Sequence, residues 1–249
     1  MKLFAHQLRN EQLIFWRSRE AAFFVFIFPL LLFVLLTSVY THGKFQHRPA
    51  SWAVLAGIIG YGAANTGFAG LALLLVARRE MGFLKRIRST PLPAVTYLTA
   101  VLASTLAVFL AQCVAIFVLG KLLKSTPFPH HPLSLLLALL LGSACFAALG
   151  LAFTTLVRSA EGSSAAVNVV LLPMAFLSGG FGPTAHYPSV LRAIAAVLPM
   201  KYFIQLVYAI YLHGERVWSK PGAIAVLAGW GVVGVVVAVR RFRWEPVEG

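Results

Sequence analysis

Six apolar stretches, each about as long as a bilayer is thick once wound into a helix, decide what this chain can fold into. A hydrocarbon core of ~30 Å takes about 20 apolar residues per helical crossing, and that ruler marks spans over 21–40, 52–76, 97–120, 133–157, 163–180 and 222–239. With 59% hydrophobic and only 11% charged residues, the chain cannot clothe a soluble domain in polar surface. The expected fold is an all-α membrane protein with six transmembrane helices. Residues 21–249 form one membrane domain, and 1–20 form a separate amphipathic interfacial helix.

The net charge of +14 does not imply a nucleic-acid partner. The bases sit in small groups at the ends of apolar runs, where they meet lipid headgroups and set orientation. Placing both termini in the cytoplasm puts more Lys and Arg inside than outside, the bias expected of a multi-pass membrane protein so oriented. Residues 1–20 scatter Phe4, Leu8, Phe15 and Trp16 among Lys2, Arg9, Arg17 and Arg19, which suits a helix lying in the inner interface. No small-residue cleavage site follows the first span, so a removable signal peptide is not expected. Cys113 and Cys145 lie inside apolar stretches and read as packing residues, and no Cys/His spacing marks a metal site.

Two interruptions carry more information than the spans. In 77–93, Glu80, Gly82, Phe83, Leu84, Lys85, Arg86, Ile87 and Arg88 precede Thr90-Pro91-Leu92-Pro93. Phe83, Leu84 and Ile87 share one helical stripe with Glu80 among them, and the prolines stop the helix by lacking an amide donor and restricting the preceding residue. Glu80 is expected to pair with a base from the N-terminal helix or a span end. In 177–212, Leu177-Ser-Gly-Gly-Phe-Gly-Pro183 leads to Tyr187-Pro188 and Leu198-Pro199-Met-Lys-Tyr202. Its prolines forbid a continuous helix, and the apolar piece near Ile194 is too short to cross.

Both regions resemble the permeases of the type-2 export class of ATP-binding-cassette (ABC) transporters. The resemblance implies that 77–93 is the cytoplasmic loop touching an ABC ATPase subunit, through Glu80, Phe83, Leu84, Lys85, Arg86 and Arg88. It also implies that 181–212 dips back as short re-entrant helices on the outer side. The second and fifth spans would line a pathway at the two-fold axis of a dimer, formed with a second copy or a homologue. Asn65, Thr66 and Asn168 are then the candidates for substrate contact, with Phe68, Phe176 and Tyr61 for apolar contact. Interhelical hydrogen bonding is the competing use of the polar three.

The energy source must lie elsewhere. Leu177-Ser178-Gly179-Gly180 imitates an ATPase signature but ends an apolar span, and no Gly-x-x-x-x-Gly-Lys-Ser/Thr loop exists. The chain is expected to bind no cofactor, with ATP and Mg²⁺ on the partner subunit. There is no Asp, and every Glu lies outside the span middles, which weakens an ion-coupled secondary transporter. An intramembrane serine enzyme is weaker still, since no histidine lies mid-span to activate Ser143. Hence no catalytic residue is expected. The cargo implied is amphipathic or lipid-like, such as a drug, lipid or glycolipid moved outward by alternating access, with a polysaccharide as the alternative.

Overall fold

The computed structural model describes residues 2–40, 44–45, 48–89, 92–157, 159–182, 184 and 187–241. Helix α1 (Lys2–Arg17) is followed by α2 (Arg19–Val39), α3 (Ser51–Glu80), a short α4 (Phe83–Arg88), α5 (Ala94–Lys124), α6 (Pro132–Phe153) and α7 (Ala160–Leu177). Two shorter helices, α8 (Ser189–Ala195) and α9 (Pro199–His213), precede α10 (Pro221–Arg241). A two-residue ladder pairs Lys44 with Pro49 and Phe45 with Arg48 between α2 and α3. Among the described residues, α2, α3, α5, α6, α7 and α10 are long and apolar enough to cross a membrane.

The breaks have local causes. Ser18 leaves helical geometry, and its hydroxyl accepts from the Ala21 amide, separating α1 from α2. Gly82 sits at φ 67° between α3 and α4, a left-handed conformation that a side chain would strain. Pro132, Pro199 and Pro221 open α6, α9 and α10 at the first turn, where their missing amide costs nothing. The proline stop expected after α4 lies partly outside the described residues, at 90–91.

At 1.5 Å per residue, α3 and α5 are about 45 Å long and outreach a ~30 Å core. Their ends at Glu80 and Ala94 stand together with α1, and we call this the proximal end. There Leu71, Leu75, Leu84, Tyr97 and Val101 form a small core of their own. The main core, holding Phe33, Phe109, Phe146, Phe203 and Tyr211, fills the rest of the bundle. Glycines allow the closest approaches: a Cβ on Gly150 would stand 2.5 Å from the Gly67 carbonyl oxygen, and one on Gly234 would be 2.7 Å from the Ala148 carbonyl carbon.

Helices α8 and α9 meet at 83°, at an exposed turn part-way along the bundle. Trp230 Nε1, nine residues into α10, donates to the Val197 carbonyl at 2.9 Å. The Phe203 ring occupies the space a side chain at Gly142 would need, and Ile204 does the same at Gly60. Gly142 and Gly60 are each about 14 Å along their helices from the distal end at 1.5 Å per residue. At its other end α9 reaches the α5–α6 connection, where Tyr211 Oη donates to the Pro127 carbonyl at 2.8 Å. Helix α9 therefore runs from the level of Gly142 and Gly60 to the distal end.

Candidate coupling end and membrane path

Three consecutive residues close α3 and bind four other elements. Arg78 donates to both carboxylate oxygens of Glu11 on α1, at 3.0 and 2.6 Å, and to the Tyr97 hydroxyl of α5 at 2.6 Å. Its guanidinium also lies 5.5 Å from the centre of the Phe83 ring. Arg79 donates to the backbone carbonyls of Thr154 and Val157, where α6 has ended and its last carbonyls lack helical partners. Glu80 accepts from the Ala160 amide in the first turn of α7, where the helix dipole favours an anion.

Glu80 is expected to meet a base of α1 or of a span end; among the described residues it meets the Ala160 amide, Arg158 lies outside them, and α1 and α3 are joined by other residues. The ion pair between these elements exists, but with reversed polarity and at another position: the base is Arg78 on α3 and the acid is Glu11 on α1. A planar guanidinium two residues back can meet the carboxylate in bidentate fashion, whereas Glu80 has rotated toward α7. The expected boundary moves as well, since residues 77–80 continue α3 and the loop begins at Met81.

Within α4, Leu84 is fully buried and Phe83 packs beside Tyr97, with ring centres 6.4 Å apart, so both are held by this chain. Lys85 and Arg86 are exposed, as is Met81 at 63%. The Arg88 side chain lies outside the described residues. The exposed tip is thus Met81, Lys85 and Arg86, anchored by a buried network directly behind it.

The path candidates divide into two groups. Asn65 and Thr66 lie in a π-helical turn, Ala64–Gly70 of α3, facing a second one, Ala22–Ile27 of α2. A π turn displaces carbonyls from regular helical bonding. Here two of them are taken up by side chains: Asn65 Nδ2 donates to the Phe24 carbonyl at 2.9 Å, and Gln112 Nε2 to the Val25 carbonyl at 2.8 Å. Asn65 thus serves an interhelical bond. Thr66 is 3% exposed, and its hydroxyl has no hydrogen-bond partner. Phe68 is buried edge-on against Phe153, 5.0 Å between centres.

Asn168 and Phe176 lie instead on the exposed side of α7. Asn168 donates to its own helix at the Ser164 carbonyl, and Phe176 is 55% exposed. Phe176 stacks on Phe181 at 4.8 Å, and Phe181 lies against Tyr61 of α3 at 5.1 Å. This aromatic row closes the space between α3 and α7. Among the described residues no cluster of His, Cys, Asp and Glu could hold a metal. Ser143 donates only to the Leu140 carbonyl of its own helix.

Sequence reasoning missed Glu11, Arg78, Tyr97 and Gln112. A buried Glu in an otherwise basic amphipathic segment and a Gln inside a span were the available signals, but neither names its partner.

A family profile described as ABC-2 type transporter matches residues 3–212. A Bacillus subtilis protein whose name reads transport permease YvfS is 23% identical over 86% of this chain and 84% of its own length. Two Escherichia coli proteins match as well. The inner membrane transport permease YhhJ is 25% identical over 68% of this chain and 46% of its own. YbhS, whose name reads multidrug ABC transporter permease, is 28% identical over 58% of this chain and 39% of its own. This chain thus spans less than half the length of the two Escherichia coli relatives.

Proposed function

The chain belongs to the ABC-2 type transporter family as a multi-pass membrane permease subunit, and from that membership we propose that it forms the membrane path of an exporter driven by a separate ATPase. The observation that carries the reading is the network at the proximal end. Arg78, Arg79 and Glu80 join α1, α5, α6 and α7 to the helix that ends at the exposed Met81, Lys85 and Arg86. A force applied to that tip reaches four elements through charge-assisted bonds, those of Arg78 and Arg79 buried and that of Glu80 exposed.

The proximal end faces the cytoplasm in this reading, with both termini there and the protein in a bacterial inner membrane. The ATPase docks on Lys85 and Arg86, holding its own ATP and Mg²⁺, while Phe83 and Leu84 seat the docking helix in this chain. The exposed face of α7, with Asn168 and Phe176, meets a second permease copy or a homologue and lines the path. Asn65 and Phe68 support it from inside. Two discrete arrangements of such packed helices give alternating access. The cargo is amphipathic or lipid-like, because the exposed face of α7 combines one amide with aromatic and aliphatic side chains.

The test is co-purification with an ABC ATPase subunit of the same cell. Charge reversal at Lys85 and Arg86 together abolishes the complex while leaving the permease folded. A complex that survives both reversals removes the docking site from this loop.

A further inference from the structure

At the distal end, α3, the segment that follows α7, α9 and the start of α10 line an open cavity of about 760 Å³. One stripe of α9, with Lys201, Gln205 and Tyr208, lines it, while Phe203, Leu206 and Val207 on the opposite side are buried in the core. Lys201 stands in the first turn of α9, the turn whose neighbours Phe203 and Ile204 press on Gly142 and Gly60. That places it about 14 Å into the bundle at 1.5 Å per residue. A cation at such depth is costly and, as a rule, serves a task.

The other charged groups around the cavity do not neutralise Lys201. Glu215 pairs with Lys220 at 3.3 Å and accepts from the Ser219 hydroxyl, so the one carboxylate of the lining is engaged at the mouth. His213 packs its ring on Tyr208. Among the described residues no carboxylate pairs with Lys201. A second observation is independent of the lysine: Ser178, 6% exposed, lines the same cavity, and among the described residues its hydroxyl has no hydrogen-bond partner. An idle buried hydroxyl is destabilising, and a ligand acceptor relieves it. The N-terminus of α9 has no side-chain cap, and its dipole adds positive potential at the same depth. Ala53, Val54, Ile204 and Ala209 supply apolar walls.

We propose that this cavity binds the phosphate of an anionic lipid, with the headgroup on Lys201 and the Ser178 hydroxyl and the acyl part along the apolar walls. The export reading gives the site its meaning as an outward-release station. Binding itself needs neither ATP nor a partner, so the two ideas fail separately.

The experiment uses the full chain in detergent micelles, with short-chain phosphatidic acid as probe and bound lipid counted by native mass spectrometry. Lys201→Gln is expected to weaken binding about tenfold or more, since a hydrogen bond to a charged group contributes ~1.5–3 kcal/mol. Lys201→Arg restores most of it, Ser178→Ala gives a smaller loss, and Lys121→Gln, in a separate groove beside Phe128, changes nothing. Matched diacylglycerol, lacking the phosphate, binds weakly. Binding by Lys201→Gln within twofold of the parent overturns the site. Displacement of the lipid by equimolar inorganic phosphate overturns the lipid assignment in favour of a free anion. Lipid that binds as described but is not moved by the ATP-driven complex sinks only the export reading.

Discussion

Separating Glu11 from Arg78 tests whether α1 is bound to the bundle by charge or merely lies on it. The two side chains are 3% and 7% exposed, and the carboxylate meets the guanidinium through two bonds. Removing one partner strands the other in a poorly solvated place, at a typical cost of about 3–5 kcal/mol. Glu11→Leu leaves Arg78 with the Tyr97 hydroxyl, and Arg78→Met leaves Glu11 with only the Gln7 amide at 2.8 Å. The double variant strands neither charge. Its cost reduces to the unpaired Tyr97 hydroxyl and lost packing, about 1–3 kcal/mol. Unfolding in mixed micelles, followed by circular dichroism, therefore gives two severely destabilised single variants and a milder double one. A double variant whose cost equals the sum of the singles shows no coupling and refutes the reasoning.

Three other outcomes follow from the geometry. Asn65→Leu and Gln112→Leu each free a carbonyl of the π turn in α2, and each should lower stability by about 1 kcal/mol in the same unfolding assay, the usual size of an intramembrane hydrogen bond. Gly150→Leu drives a side chain into the Gly67 and Phe68 backbone and should prevent recovery of folded protein, whereas Gly229→Leu, with nothing within 4 Å, should purify normally. The Glu215 carboxyl is held below its ordinary value, first by the Ser219 hydroxyl and then by Lys220. A depressed acid contributes stability above its unfolded value and loses it as pH falls through the folded one. The clasp with Lys220 should thus persist at neutral pH and open only in acid, and Ser219→Ala should move that opening to higher pH in a carbon-13 carboxyl titration.

Hydrophobic length alone located every crossing, because a ~30 Å core leaves little choice. The ends drifted by a few residues where a helix outreaches that core: the second span was expected to stop at Val76, yet α3 runs on to Glu80. That drift hid the key pair, since Arg78 and Arg79 were read as loop charges rather than as the last turn of a helix. Periodicity puts Leu84 on the apolar stripe of α4 without saying what covers it, and no local rule tells Glu11 from Glu80 as the acid that meets an arginine 67 residues away. Asn65 was identified as a polar residue of interest without its partner, because π turns leave no mark in composition. Lys201 lies in the stretch 181–212, expected on the outer side. Only contacts with Gly60 and Gly142 reveal its depth, and those join segments far apart in sequence.

The central claim is that this permease moves cargo only when an ATPase acts on the tip formed by Met81, Lys85 and Arg86. The direct measurement is efflux of a fluorescent amphiphile from vesicles containing the permease with the ABC ATPase that co-purifies with it. The account predicts flux that requires both proteins and ATP, and that disappears with Lys85→Glu/Arg86→Glu although ATP hydrolysis by the free ATPase continues. Flux by the permease alone, or undiminished flux with both charges reversed, contradicts it.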